Sequence, residues 1–310
     1  MAHLLEHIKA PNHNTHKTMK LKLITGLAIS ALSLTVANAT TIVWAGGSGD
    51  FATGGNWVGG TAPNLNNTDV AQISAGTATY NVGAGDLNVI GANSGVDVNG
   101  GNYTQTAGNW VDIRGGATLS ISSGGTFSGM NNLRLRGVGG NSATHTVNNG
   151  TINSNGLVLD DVQTLNVSNG STLNINGTVD INNAGILNLA GSTASFNNLN
   201  LLTYGGQFGQ LNLNSGQLNV SNSFSTVAGA YVNFSTGSTG VMFIDGTDIA
   251  AAEALITGGN FGINGAADTT VANYKLTTNG AGVNIELTPE PSSAALLGLG
   301  GLALILRRRK

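Results

Sequence analysis

LNVSNGSTLNINGTVDINNAGILNL, residues 165–189, repeats one small device. Its apolar–polar–apolar triplets are Leu165-Asn-Val167, Leu173-Asn-Ile175, Val179-Asp-Ile181 and Leu187-Asn-Leu189, with Asn and Gly between them. Similar triplets extend both ways, as Leu119-Ser-Ile121, Leu133-Arg-Leu135, Leu199-Asn-Leu201, Leu211-Asn-Leu213 and Leu218-Asn-Val220. Alternation with a period of two marks short strands with one face turned inward. Nothing recurs at the helical period, and Gly and Asn interrupt every few residues, which excludes helices here. The first triplets of successive groups begin at Leu165, Leu187 and Leu211, a nearly even step. Three short arms per step is the spacing of one coil of a β-helix.

Asn149-Gly150, Asn155-Gly156, Asn169-Gly170 and Asn176-Gly177 are predicted to supply left-handed backbone at the bends between arms. The same pairs also favour antiparallel hairpins. A two-residue loop at Asn169-Gly170 would set Asn166 against Leu173 and Leu165 against Asn174, mixing polar and apolar side chains on one face. Three-residue loops would repair that conflict. The expected fold class is all-β, a single-stranded parallel β-helix (β-solenoid) with repeats over residues 76–240. At ~22 residues per coil and ~4.8 Å per stacked strand, the body predicts about 11 coils.

An open end of such a stack would template aggregation, so caps are expected. Residues 40–75 fit the first, with Trp44 and Trp57 on glycine-rich loops. Residues 241–288 fit the second. There Asp248 to Ile256 reads as one short helix with Asp248 as N-cap and Gly258 beyond its end, and Tyr274–Leu276 and Val283–Leu287 read as closing strands.

The termini carry different signals. Met19-Lys-Leu-Lys22 is a basic start, Leu23 to Val36 an apolar run, and Ala37-Asn-Ala39 a small-residue cleavage site, together a secretory signal peptide over 19–39. Residues 1–18 hold four of the five histidines. They read as a mis-assigned start rather than a metal site. At the other end, Pro289-Glu-Pro291 precedes an apolar run from Ser292 to Leu306 and the cations Arg307, Arg308, Arg309 and Lys310. That run is shorter than the ~20 residues a membrane helix prefers, and its terminal cations favour the cytoplasmic side. A signal helix and a C-terminal hydrophobic helix are therefore expected to flank the body.

Pro-Glu-Pro, small residues, an apolar run and an arginine cluster resemble the PEP-CTERM sorting signal of exported bacterial proteins. The resemblance implies that 289–310 is a sorting segment, with Pro289, Glu290 and Pro291 recognised and cut nearby by an exosortase-type membrane protease. It implies that Arg307–Lys310 act as the membrane stop. The stretch from Trp44 to Trp57, with Pro63 and Asp69-Val-Ala-Gln-Ile73 after it, is similar to the opening segment of PEP-CTERM proteins built from autotransporter-like β repeats. Extracellular polysaccharide is the setting the family implies.

Between Thr40 and Pro291 the chain has Arg114, Arg134, Arg136 and Lys275 against 14 Asp and Glu, a net of −10. Such a body does not seek nucleic acid. With no cysteine, stability must come from ladder and core rather than cross-links.

Asp160, Asp161 and Asp180 lie about one coil apart, and paired carboxylates are what glycoside hydrolysis needs. The histidine and Arg-x-Lys elements of pectin-cleaving β-helices are missing, and solvated Asp at bends accounts for all three. His145 stands alone in Ala-Thr-His-Thr-Val and reads as a surface or satisfied histidine rather than a metal ligand. Gly46-Gly-Ser-Gly-Asp50 is an imperfect single copy of a calcium nonapeptide. Asp245-Gly-Thr-Asp248 offers oxygens to a hard cation, but helix capping explains Asp248. Trp44, Trp57 and Trp110 could stack on sugars, but caps and core explain them more simply. The expectation is an exported surface or matrix structural protein with no catalytic residues, metal or cofactor. The alternative is a β-helix carbohydrate-active enzyme with the same tail.

Overall fold

A computed structural model describes residues 39–81, 85–106, 109–138 and 140–289. Alternating residues build a parallel β-solenoid. Ten strands of the described residues stack in parallel as its first wall, from Thr41–Val43 through Thr144–Asn148, Thr164–Ser168 and Ile186–Ala190 to Phe261–Ile263. The second and third arms of the central coils are single long strands, Thr126–Arg136, Thr151–Asp160, Thr172–Ile181, Ser192–Leu201 and Ser215–Thr226. Each turns a corner where the register slips, as between Ser154 and Leu157 or Ile175 and Thr178. These slips are bulges, which bend a strand and increase its twist.

Parallel register puts like residues on like. Leu165 pairs with Leu187 and Leu187 with Leu211, while Val167 pairs with Leu189 and Leu189 with Leu213. All these side chains are buried. A third-arm column runs Val111, Leu133, Leu157, Val179, Leu199. Burying each such side chain is worth roughly 1.5–3 kcal/mol, so columns of them supply what no cross-link provides.

The polar middles of the triplets face outward and bond to their counterparts one coil away. Asn188 Nδ2 donates to Asn166 Oδ1 (2.7 Å), Asn212 to Asn188 (2.6 Å) and Asn233 to Asn212 (2.9 Å). This amide ladder is open to a parallel stack but not to the hairpins that the Asn-Gly pairs also allowed.

Two expectations need correction. Dividing the body by coil length predicts about 11 coils, but the first wall has ten rungs among the described residues. The terminal steps, Thr41 to Val70 and Val232 to Phe261, are longer than the central ones because they carry capping loops. Seven coils complete all three arms, Leu87–Val89 being the first third arm and the end of Ser215–Thr226 the last. The second correction concerns the Asn-Gly bends. Asn149 (φ 55°), Asn169 (φ 55°) and Gly170 (φ 75°) are left-handed, whereas Asn155-Gly156 and Asn176-Gly177 are not. At those corners glycine answers crowding: a Cβ on Gly177 would collide with the Asn155 carbonyl oxygen, and one on Gly156 with the Asn132 amide.

Stacked strands reach into both capping segments. At the start, Trp44 and Trp57 meet edge-on with centroids 5.0 Å apart, and Phe51 meets Trp57 at the same distance. At the far end helix α1 (Ile249–Thr257) is capped by Asp248, whose carboxylate accepts from Ala251 N (2.8 Å), and buries Ala252 and Ile256. The strands Tyr274–Asn279 and Gly282–Leu287 then form a hairpin whose second strand pairs antiparallel with Thr239–Ile244. The parallel stack is thereby closed. Among the described residues no helix is long and apolar enough to cross a membrane. The expected signal helix and C-terminal hydrophobic helix lie outside the described residues.

Candidate functional site

The chain leaves the solenoid at its closed end. After Leu287, Thr288 N donates to Asn273 O (2.9 Å) and Thr288 Oγ1 to Ala272 O (3.2 Å). Pro289 follows directly and lines a cleft of about 750 Å³ with Thr236, Ser238, Ile263 and Leu287. The body is thus anchored up to the residue before Pro289-Glu-Pro291, with no spacer. Of the sorting residues, Pro289 is described and exposed. Glu290, Pro291 and Arg307, Arg308, Arg309 and Lys310 lie outside the described residues, as does Ala37. Ala39 is exposed ahead of the first strand.

The three aspartates do not converge as a catalytic pair. Asp180 faces outward beside Val158, its register partner, and accepts from Asn200 Nδ2 (2.8 Å). Asp160 ends the preceding third arm and accepts from Asp161 N (2.7 Å). Asp161 is on the turn, left-handed at φ 53°, and accepts from Asn183. Burial, then the neighbouring Asp161 charge, raises the Asp160 carboxyl above its ordinary range. Each aspartate serves a turn or the outward ladder.

His145 is wholly buried and occupies the first-wall column between Leu119 and Leu165. The ladder to the preceding coil is paired only from Ser120 to Ser122. Just ahead of it, Leu119 N donates to His145 Nδ1 (3.1 Å), while Nε2 contacts Gln163 Oε1 (3.1 Å). Gln163 Nε2 donates to Asn141 O and Asp161 O, so its oxygen accepts and the imidazole is neutral with its proton on Nε2. Burial lowers its pKa to about 4, with the Gln163 bond opposing.

Asp50 accepts from Ala52 N and Thr53 Oγ1 within the first cap, and Asp245 accepts from Gly246 N. No three His, Asp or Glu side chains converge as a metal site would require among the described residues. Trp44 and Trp57 are buried, donating to Gly47 O (2.9 Å) and Phe51 O (2.7 Å). They close the stack rather than meet a ligand.

A charged cluster that no sequence motif singles out stands on the outward face of the third arm. Asp112 is 4% exposed and accepts from Arg136 through Nε (3.2 Å) and Nη2 (3.1 Å), with Arg114 Nη2 also 3.1 Å away. Arg134 sits 4.6 Å above the Trp110 ring. The signal was present: Asp112 and Arg134 lie one coil apart in the sequence and pair in register.

Residues 287–310 match the model of the PEP-CTERM protein-sorting motif. That match spans the end of the last strand and the whole tail. No curated protein and no solved structure shows a significant similarity to the chain. A tail of this kind marks a protein for export and for exosortase-dependent sorting to the cell surface.

Proposed function

We propose that the protein is a non-catalytic structural component of the cell surface or extracellular matrix. A secretory signal cut after Ala39 would start its route, and an exosortase would then process it near Pro289-Glu290-Pro291. Arg307–Lys310 would hold the tail's end on the cytoplasmic side until the cut. The body is related in this reading to autotransporter-like β repeats, which its parallel coils support.

One observation carries the proposal. A closed solenoid, its core columns filled and its outward amides bonded coil to coil, runs without a spacer into the sorting motif. Such a body is a rigid rod delivered whole. Glycan cleavage is the weaker reading, because Asp160, Asp161 and Asp180 are engaged in turn and ladder bonds.

Intact-mass measurement of the protein recovered from cells tests the route. The expected mature chain begins near Thr40, ends near Pro291 and lacks Arg307–Lys310. A mature chain still carrying those four cations would replace the sorted protein with a permanently anchored one.

A further inference from the structure

All three arginines of the mature body, Arg114, Arg134 and Arg136, stand on one face across two adjacent coils. One buried carboxylate needs about one guanidinium fork, and Arg136 supplies it to Asp112. Arg114 adds a contact to Asp112 and another to Asn88 Oδ1 (2.6 Å), yet its Nε is sealed without a partner. Arg134 is 3.9 Å from Asp112 and makes no hydrogen bond to the protein among the described residues. Its side chain keeps 25% exposure. The cluster therefore holds more donors and more positive charge than Asp112 can satisfy. Asp160 and Asp86, whose Oδ1 accepts from Trp110 N (3.0 Å), stand at its borders, so the three arginines meet three carboxylates and the surplus lies in the unbonded fork of Arg134 rather than in net charge.

We propose that this face binds an acidic polysaccharide, with Arg134, held over Trp110, presenting its fork to a carboxylate of the glycan. A planar guanidinium matches a carboxylate with two parallel bonds, and stacking removes rotamer freedom before the ligand arrives. The indole edge offers apolar surface to a sugar ring. Asn132, the register partner of Trp110, offers an amide to a hydroxyl beside it. Outward positions recur every ~4.8 Å along the stack, about the rise of one sugar unit in an extended glycan. Nucleic acid fits poorly, since binding a phosphate backbone needs a broad basic stripe that three arginines on an acidic rod do not make. The inference rests on the reading of the chain as a surface protein, but its test is made in vitro and is independent of the sorting route.

The purified protein is titrated calorimetrically at low salt with polygalacturonate and with its fully methyl-esterified form. The acid polymer should bind and the ester at least about tenfold more weakly, because only the carboxylate is masked. Arg134→Gln should lose about tenfold and Arg134→Lys, which keeps charge but not the fork, about fivefold. Melting curves of both variants should match the parent. Equal binding of acid and ester, undiminished binding by both variants, no binding at all, or equally tight binding of a single-stranded oligonucleotide would each overturn the proposal.

Discussion

Acidification from pH 7 to pH 5 should weaken the fold through one residue, His145. Its pKa in the folded protein is about 4, against ~6.5 for an unperturbed imidazole. The folded state therefore binds fewer protons than the unfolded chain throughout that window. Stability is full above pH 6.5 and falls as pH drops toward 4. The complete loss is about 3 kcal/mol, and about 2 kcal/mol of it is spent by pH 5. The structural cause is specific. Protonation would put a charge in a column of leucines and turn Nδ1 from the acceptor of the Leu119 amide into a competing donor. His145→Leu removes the titration but orphans that amide, costing roughly 1–3 kcal/mol at pH 7. Urea unfolding of both proteins at pH 7 and pH 5 isolates the effect, because the carboxylates are common to both and cancel. The parent's advantage over His145→Leu should shrink by about 2 kcal/mol. An advantage that stays constant, or an imidazole NMR signal titrating near 6.5, would refute the reasoning.

The corners and the ladder make two further expectations. Gly177→Ala should cost roughly 1–3 kcal/mol by overpacking against the Asn155 carbonyl, seen as a fall in the unfolding midpoint. Gly170→Asn should be nearly silent, because that site is open and its φ of 75° suits Asn. Asn188→Ala removes one bond to Asn166 and one from Asn212. At about 1 kcal/mol each, less what water restores, it should lower stability by about 1–2 kcal/mol. Hydrogen exchange should accelerate first in Thr164–Ser168 and Gln210–Leu213, and exchange unchanged in both strands would count against the ladder.

Why some of this was legible in the sequence and some was not follows from how a solenoid stores information. Alternation is local, so the triplets from Leu119 to Val220 disclosed strand, inward face and coil length together. Stacking is the non-local part, but a parallel stack makes it periodic, so the nearly even step from Leu165 to Leu187 to Leu211 was enough to choose coils. His145 was readable by the same rule, since it alternates with Val147 and so takes an inward position. A histidine there must find partners inside, and Leu119 and Gln163 are one coil below and one turn ahead. Asp112 was less legible for the converse reason, its one signal being the one-coil spacing to Arg134. Outward residues are free to be polar, so a charge there carries no local signal. Its burial arises only when Arg114 and Arg136 fold over it. The corner glycines differ again: Asn176-Gly177 and Asn169-Gly170 look identical in sequence, yet one is needed for closeness and the other for handedness. The distinction depends on which backbone lies beneath, and that is a property of the stack rather than of the dipeptide. A designed coil that swapped the two pairs' neighbours would therefore be expected to swap their tolerances, with Gly170 becoming the position that rejects a side chain.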